Sequence, residues 1–182
     1  MEIFKTHDNQ AAMAYAAECL GEGHEGLDVF FNDTTFLQTG VLNTSDRDKA
    51  RELGIPVWEA RHLGGSIVCF PGDLSLCMTS WGTNDFGEKL FQMMVDLLKA
   101  RGVEVTTSNN DVLAEGKKVM SWARAAVLEG WVQTVAHFSV NVDLDLIRQI
   151  CTKPMEKVPG ALSDYGFTAD ELWAEIEKWF NY

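Results

Sequence analysis

The chain has 182 residues, of which 46% are hydrophobic, a composition that predicts one globular domain over residues 1–182 and excludes wholesale disorder. The formal net charge of −12, from 27 acidic and 15 basic residues, repels phosphodiester backbones and argues against nucleic acid as a partner. No apolar run reaches the length of a membrane span, and the N-terminus lacks the basic-then-apolar order of a signal peptide. We therefore expect a cytoplasmic protein without a membrane partner, whose four cysteines are reduced and mostly buried.

The first half of the chain alternates helix signals with short apolar runs. Asp8 is placed to cap an alanine-rich helix that Gly21 ends, and Ser45 is placed to cap a short charged helix that runs through Arg51. The two strands before Ser45 are predicted to be joined by a tight turn. The predicted strands of this half are 27–32, 34–39, 57–61, 66–70 and 74–81.

The second half begins with the longest predicted helix. Asp85 is placed to cap it, apolar residues recur on one face at spacings of three and four, and Gly102 ends it. Strands are predicted over residues 103–107 and 131–142, with a β-hairpin between them.

The C-terminal part adds two capped helices. Asp143 is placed to start a short helix, residues 152–166 are predicted to be a loop over the surface, and Thr168 with Glu171 forms a capping box that starts the last helix. Many short strands interrupted by a few helices predict an α+β domain with a mixed, largely antiparallel sheet.

Two stretches of the chain carry the candidate chemistry, and the first is residues 60–75. Its glycines let the backbone approach a ligand where a Cβ would collide, and an arginine guanidinium suits phosphate or carboxylate. A plain turn between strands is the alternative interpretation of the glycines. The candidate ligand-binding residues here are Arg61, Gly64, Gly65, Gly72 and Asp73.

The second stretch, residues 109–123, predicts a hairpin that turns at Glu115 and Gly116. Lys117 and Lys118 begin its return strand. Because adjacent strand residues point to opposite faces, one of these lysines can face a cleft while the other faces water.

The two stretches together resemble the lipoate-protein ligase A family, whose fold is shared with biotin ligases and octanoyltransferases. The family's R-x-G-G-G loop, apolar strand, histidine and G-N or G-D turn correspond to residues 61–73, and its N-D-x-x-x-D/E-G-x-K-I/V motif corresponds to residues 110–119. A third element, a histidine that opens a strand running into N-V-D-L-D, corresponds to residues 137–145. The resemblance implies a biotin/lipoate ligase-like catalytic domain, related to class II aminoacyl-tRNA synthetases, without an accessory C-terminal domain.

The chain also departs from the family pattern. Leu63 replaces the first glycine of the triplet, and Cys69 stands where the family has its histidine. The glycine-arginine pair expected after the second strand falls on Thr39 and Gly40. Met120, Ser121 and Trp122 replace small residues after the family lysine. Trp122, together with Leu63, predicts a shorter or reshaped acyl pocket.

The resemblance implies ATP-dependent activation of lipoate, or a related acyl acid, as an acyl-adenylate, followed by transfer to a lysine of a lipoyl-type acceptor domain. ATP and a carboxylate are both anionic, so the site must supply positive charge where they meet. Lys118 would be the catalytic residue, with Arg61 beside it. Asp111 would position the nucleotide, through Mg²⁺ if this carboxylate is a metal ligand. The further ligand-binding residues are Gly64, Gly65, Gly72, Asp73, Asn110, Gly116 and His137.

Two other functions stay open from the sequence. One is a degenerate ligase-fold protein that binds a small ligand or a protein partner without catalysis. The other is an acyltransferase that uses a cysteine thiol, for which Cys151 lies near the expected position, although its flanking sequence lacks the family pattern. Because family members that complete both half-reactions commonly have more chain, a separate accessory chain is a further expected partner.

Overall fold

The computed structural model describes residues 1–40, 42, 44–59 and 65–181. Within these residues the chain forms ten strands, five α-helices and a 3-10 helix, Leu162–Tyr165. The strands are β1 Glu2–Thr6, β2 Gly26–Phe31, β3 Phe36–Thr39, β4 Val57–Glu59, β5 Ser66–Cys69, β6 Leu74–Trp81, β7 Val105–Ser108, β8 Asp111–Ala114, β9 Lys117–Leu128 and β10 Trp131–Phe138. The helices are α1 Asn9–Glu22, α2 Arg47–Glu52, α3 Phe86–Ala100, α4 Leu144–Ile150 and α5 Ala169–Phe180.

Seven strands form one sheet in the order β1-β2-β6-β10-β9-β8-β7. In this sheet β1 and β2 are parallel, and every other neighbouring pair is antiparallel. A second sheet has three strands in the order β4-β3-β5, with β3 and β4 parallel. The predicted α+β fold with a mixed, largely antiparallel sheet is confirmed.

The main core lies between one face of the large sheet and helices α3 and α5. The predicted apolar stripe of α3 is buried here, and each such side chain contributes about 1.5–3 kcal/mol when fully buried. The buried residues of the two helices include Phe86, Leu90, Met93, Met94, Leu98, Leu172, Trp173 and Ile176. In the part of the chain that the structure describes, none of the helices has the length and hydropathy needed to cross a membrane.

The opposite face of the large sheet is covered unevenly. Helix α1 packs on β1 and β2, and the small sheet joins it there through a cluster of Ala12, Phe30, Phe36 and Cys69. Farther along this face, β6, β10, β9 and β8 carry polar side chains, and the candidate site lies there.

Several local predictions are confirmed. The Asp8 and Asp143 side chains accept backbone N–H bonds at the starts of α1 and α4. Thr168 and Glu171 form the predicted capping box of α5. The lysine hairpin turns at Glu115 and Gly116, where both residues have positive φ angles of 50° and 77°.

Asp85 occupies the predicted N-cap position of α3 without a side-chain capping bond, whereas the cap of α2 and the end of α1 were predicted at the wrong residue. Asn84, not Asp85, accepts the Phe86 N–H at the start of α3. Asp46 caps α2 in place of Ser45, and α1 continues to a left-handed Gly23.

Three predictions about strands and loops were also wrong. Residues 27–32 and 34–39 do not form a hairpin, because β2 and β3 belong to different sheets. The N-terminal strand β1 was missed, and β10 ends at Phe138. Residues 152–166 are more than a surface loop, since Gly160 and Leu162 are buried and Pro159 forms a β-bridge to Lys118.

Candidate active site

A row of polar side chains crosses the large sheet on the face opposite α3 and α5. Ser75 of β6 pairs with His137 of β10. Next along the row, Ser121 of β9 pairs with His137 on one side and with Asp111 of β8 on the other. Directly paired residues of antiparallel strands point to the same face, so these side chains lie side by side. We call Ser75, His137, Ser121 and Asp111 the polar row.

His137 lies at the centre of the polar row and is 8% exposed. Its Nδ1 is 3.0 Å from the Ser75 Oγ, and its Nε2 is 3.5 Å from the Asp73 Oδ2. The Nε2 atom is buried and has no hydrogen-bond partner among the described residues. The structure therefore places His137, a predicted site residue, in the polar row. No described residue uses the hydrogen-bonding capacity of its Nε2 atom.

Asp73 is fully buried, and its carboxylate accepts three backbone N–H bonds. The donors are Phe70 at 2.7 Å, Val140 at 2.8 Å and Asn141 at 3.0 Å. A carboxylate with this many amide donors is well solvated by the protein itself. Asp73 thus ties the turn after β5 to the segment after β10.

Gly72 forms the exposed tip of the same turn. Its φ angle is 90°, and a Cβ built at this position would lie 2.5 Å from the Asn141 Nδ2. Both facts require glycine here. Its N–H donates to the Asn32 carbonyl at 2.7 Å.

A β-bulge turns Lys118 toward the polar row. Val112 pairs with Met120, but Leu113 pairs with Lys118, so Val119 is an extra residue on β9. In a regular ladder Lys118 would lie opposite Ala114, whose side chain is buried in the core. With the bulge it points to the face of Leu113 and Asp111, as bulges beside active sites commonly re-aim a side chain.

Two ammonium groups share the Asp111 carboxylate. The Lys118 Nζ is 3.9 Å from Oδ1, and the Lys157 Nζ is 2.5 Å from Oδ2. The side chains of Lys118, Lys157 and Asp111 are 32%, 24% and 18% exposed, so the cluster is partly shielded from water. The sequence interpretation missed Lys157, because it treated residues 152–166 as surface loop. The Pro159-Gly160 pair was the signal in the sequence that this segment lies close against another part of the chain.

The remaining predicted site residues lie around this cluster or outside the described part of the chain. Asn110 is exposed beside Asp111, and its carbonyl accepts the Trp122 N–H at 3.1 Å. Gly116 is exposed at the hairpin tip, and Gly65 is exposed before β5. Arg61 and Gly64 lie outside the residues that the structure describes, and so does Leu63.

The substitutions after the family lysine do not reshape the polar face as predicted. Met120 is 1% exposed and faces the core, and Trp122 packs against Gly87 of α3. Only Ser121, a small residue, belongs to the polar row. The bulky replacements therefore pack under the site and not in it.

The cysteines are poorly suited to nucleophilic chemistry. All four are unpaired. Burial raises the pKa of the Cys19 and Cys151 thiols, and raises the pKa of the Cys69 and Cys77 thiols well above the usual value. Since the thiolate is the nucleophile, none of them is activated by its surroundings.

Asp111 does not fit the predicted magnesium ligand. Each of its oxygens already faces an ammonium group, and positive charge on both sides repels a divalent cation. Among the described residues, no group of three His, Cys, Asp or Glu side chains is close enough to hold a metal ion.

No family model and no curated protein matches the chain by sequence. The three-dimensional arrangement is more informative. Its large mixed sheet, small second sheet and flanking helices form the catalytic-domain fold of the lipoate- and biotin-protein ligases.

Three solved structures illustrate this similarity, and each matches 98% of the chain. LipL1 from P. falciparum, in complex with lipoate, is 14% identical with a TM-score of 0.78, and 60% of its length is covered. Lipoate-protein ligase A bound with ATP is 18% identical with a TM-score of 0.76 and 83% covered. A structure from an archaeal lipoylation system, the bi-partite lipoate protein ligase and E2 lipoyl domain of Thermoplasma acidophilum, is 20% identical with a TM-score of 0.72 and 81% covered. Identities this low establish the fold alone.

Proposed function

We propose that this protein activates lipoate, or a related acyl acid, with ATP and transfers the acyl group to a lysine of an acceptor protein domain. The observation that carries the proposal is the bulge that turns Lys118 onto the face of the polar row, next to Asp111 and on the strand adjacent to that of His137. The fold supports the same conclusion, because solved structures of this fold contain lipoate or ATP.

In the first half-reaction an oxygen of the acid's carboxylate attacks the α-phosphorus of ATP. A P–O bond forms, the bond to pyrophosphate breaks, and a mixed anhydride results. Negative charge accumulates on the α-phosphate oxygens in the transition state. The Lys118 ammonium is placed to stabilise that charge, which is the largest catalytic contribution expected of such a site.

In the second half-reaction the amine of an acceptor lysine attacks the acyl carbonyl, AMP leaves and the amine loses a proton. The protein needs no nucleophile of its own in this scheme. Ser75 and His137 form the polar floor beneath the reacting groups, and the buried His137 ring is held there by its Nδ1 contact with the Ser75 Oγ.

The other ligand contacts stay predictions. Arg61 and Gly64 belong to the proposed cradle over the acyl chain and phosphates, together with Gly65 and the Gly72 turn. Asn110 is proposed to position the nucleotide. Magnesium would reach the site bound to the phosphates of ATP, with no step assigned to Asp111 as its ligand.

The proposed partner is a lipoyl-type acceptor domain, and a separate accessory chain is retained as a second partner. The archaeal neighbour supports both, since it is a bi-partite ligase of a lipoylation system that includes an E2 lipoyl domain. The unpaired cysteines support the cytoplasmic location that we propose.

A degenerate binding protein is the second candidate function, and the substitutions at Leu63 and Cys69 favour it. Cysteine-dependent acyl transfer gains no support, because the Cys69 side chain is 1% exposed and burial raises the pKa of both the Cys69 and Cys151 thiols.

Calorimetric titration with magnesium-ATP and with lipoate, separately and together, tests the proposal. It should be followed by mass analysis for an acyl-adenylate. Binding of both ligands with formation of lipoyl-AMP is the expected result. Binding without adenylate would support a degenerate protein that binds a small ligand. Binding of neither ligand would overturn the ligase proposal and leave a degenerate protein with a protein partner.

A further inference from the structure

Lys157 lies within the candidate site although it is remote from the lysine hairpin in sequence. Its Nζ is 2.5 Å from the Asp111 Oδ2 and 3.2 Å from the Ser108 carbonyl. Lys118 approaches the other oxygen of the same carboxylate. Two ammonium groups and one carboxylate leave a local charge of about +1 in a protein whose net charge is −12.

The chain holds this second lysine in place through backbone bonds to the first. The Lys118 N–H donates to the Val158 carbonyl at 2.8 Å, and the Gly160 N–H donates to the Lys118 carbonyl at 2.8 Å. A Cβ at Gly160 would lie 2.6 Å from the Lys117 Cβ, so the close approach requires glycine. The segment that carries Lys157 is therefore fitted to the strand that carries Lys118.

The charge pattern indicates what this pair of lysines can bind. A single carboxylate offers one negative charge to two cations, whereas a polyphosphate offers several charges and many acceptor oxygens. Lysine side chains are flexible point-charge donors that commonly bind phosphate. A nucleotide phosphate group that enters the cluster can therefore replace Asp111 as the partner of both ammonium groups.

We propose that Lys157 is a second nucleotide-binding residue, which acts with Lys118 on the phosphates of ATP, and that Asp111 is the counter-ion that both lysines exchange for phosphate oxygens. This inference rests on the proposed function, since it assigns a further residue to the same ATP site. It adds a binding residue from a segment that the hairpin motif does not include.

The first experiment measures ATP and lipoate affinity by calorimetry in the wild type, Lys157→Gln, Lys157→Arg and Lys153→Gln. Lys153 is an exposed lysine of the same segment and provides a control with the same loss of charge. A lost charge-assisted bond predicts a drop of about 10-fold or more in ATP affinity for Lys157→Gln. Lys157→Arg should retain most of that affinity, Lys153→Gln should match the wild type, and lipoate affinity should be unchanged in all three variants.

The second experiment needs no substitution, so it remains valid if Lys157→Gln fails to fold. The wild-type protein is acetylated with an amine-reactive reagent, with and without magnesium-ATP, and the modified lysines are quantified by mass spectrometry. ATP should protect Lys157 and Lys118 and leave Lys117 and Lys153 unchanged. Wild-type ATP binding without protection of Lys157 would overturn the proposal.

Different results would contradict the proposed function and the role of Lys157. If the wild type binds neither ATP nor lipoate, the proposed function and the Lys157 assignment are both wrong. If the wild type binds both ligands and Lys157→Gln binds ATP equally well, only the assignment is wrong. If Lys157→Gln loses thermal stability together with its affinity for both ligands, Lys157 serves only to tie its segment to the sheet.

Discussion

The turn after β5 and the lysine hairpin both place an aspartate beside the polar row, but the two carboxylates have different surroundings. Asp73 in the turn is 0% exposed and is satisfied by three backbone N–H groups. Asp111 in the hairpin is partly exposed and is shared by two flexible lysines. Rigid amide donors fix a loop, whereas mobile ammonium groups can change partner. The same side chain therefore stabilises structure in one region and balances the charge of two lysines in the other.

The largest effect is expected from Asp73→Ala. The substitution leaves three backbone N–H groups without their acceptor, two of them buried, and each buried loss costs about 1–3 kcal/mol. We expect the free energy of unfolding to fall by about 4 kcal/mol, measured by urea denaturation. A decrease below about 1 kcal/mol would mean that Asp73 does not anchor the turn.

The next effect, on activity, is expected from Lys118→Ala. Removal of one preorganised charge from a transition state typically costs about 10²–10³-fold in rate. We expect adenylate formation to fall by at least about 100-fold while the melting temperature stays within about 3 °C of the wild type. Lys117→Ala, on the exposed neighbour, is the matched control. Retained adenylate formation in Lys118→Ala would remove the central part of the proposed mechanism.

A third carboxylate, Asp28, extends the comparison to a buried group without such partners among the residues that the structure describes. It is 6% exposed on β2, and desolvation raises its pKa to about 8 from an ordinary value of 3.8. Because its pKa is higher in the folded protein, the folded state binds more protons between pH 3.8 and 8. The contribution of Asp28 to stability is therefore complete below pH 3.8 and is lost as the pH rises to about 8.

Asp28→Asn should remove this pH dependence. We expect the variant to differ little from the wild type at pH 4 and to be more stable by at least about 2 kcal/mol at pH 9. Thermal denaturation across this range provides the measurement. Parallel stability curves for the two proteins would contradict the prediction.

The smallest effect is expected from Asp111→Asn. Ion pairs of partly exposed side chains contribute about 0–1 kcal/mol, so the free energy of unfolding should fall by less than about 1 kcal/mol. Urea denaturation of Asp111→Asn and Asp73→Ala under the same conditions gives the direct comparison. If the two substitutions cost the same, the distinction between an anchoring and a charge-balancing aspartate is wrong.

The fold class and the general position of the site could be predicted from the sequence. Alternating apolar residues, helix caps such as Asp8 and Asp143, and the hairpin turn at Glu115 depend on neighbours a few residues away. Local patterns of this kind are visible in the chain.

The remaining features depend on contacts between residues that are far apart in the chain. The pairing of Lys157 with Asp111 spans 46 residues, and the three amides around Asp73 come partly from the segment after β10. The pocket-reshaping role predicted for Trp122 failed for a related reason, since the face of a strand residue depends on the register with its neighbours.

The extra residue at Val119 has a consequence for the evolution of this chain. The bulge lets Val119 and Met120 both face the core, while Lys118 and Ser121 lie on the polar face. A register that kept Val119 without the bulge would pair Lys118 with Ala114 and send its amine toward the core, so strand pairing decides whether the motif lysine reaches the polar row. A relative that kept the motif lysine but paired these strands in that register would therefore lose the proposed chemistry.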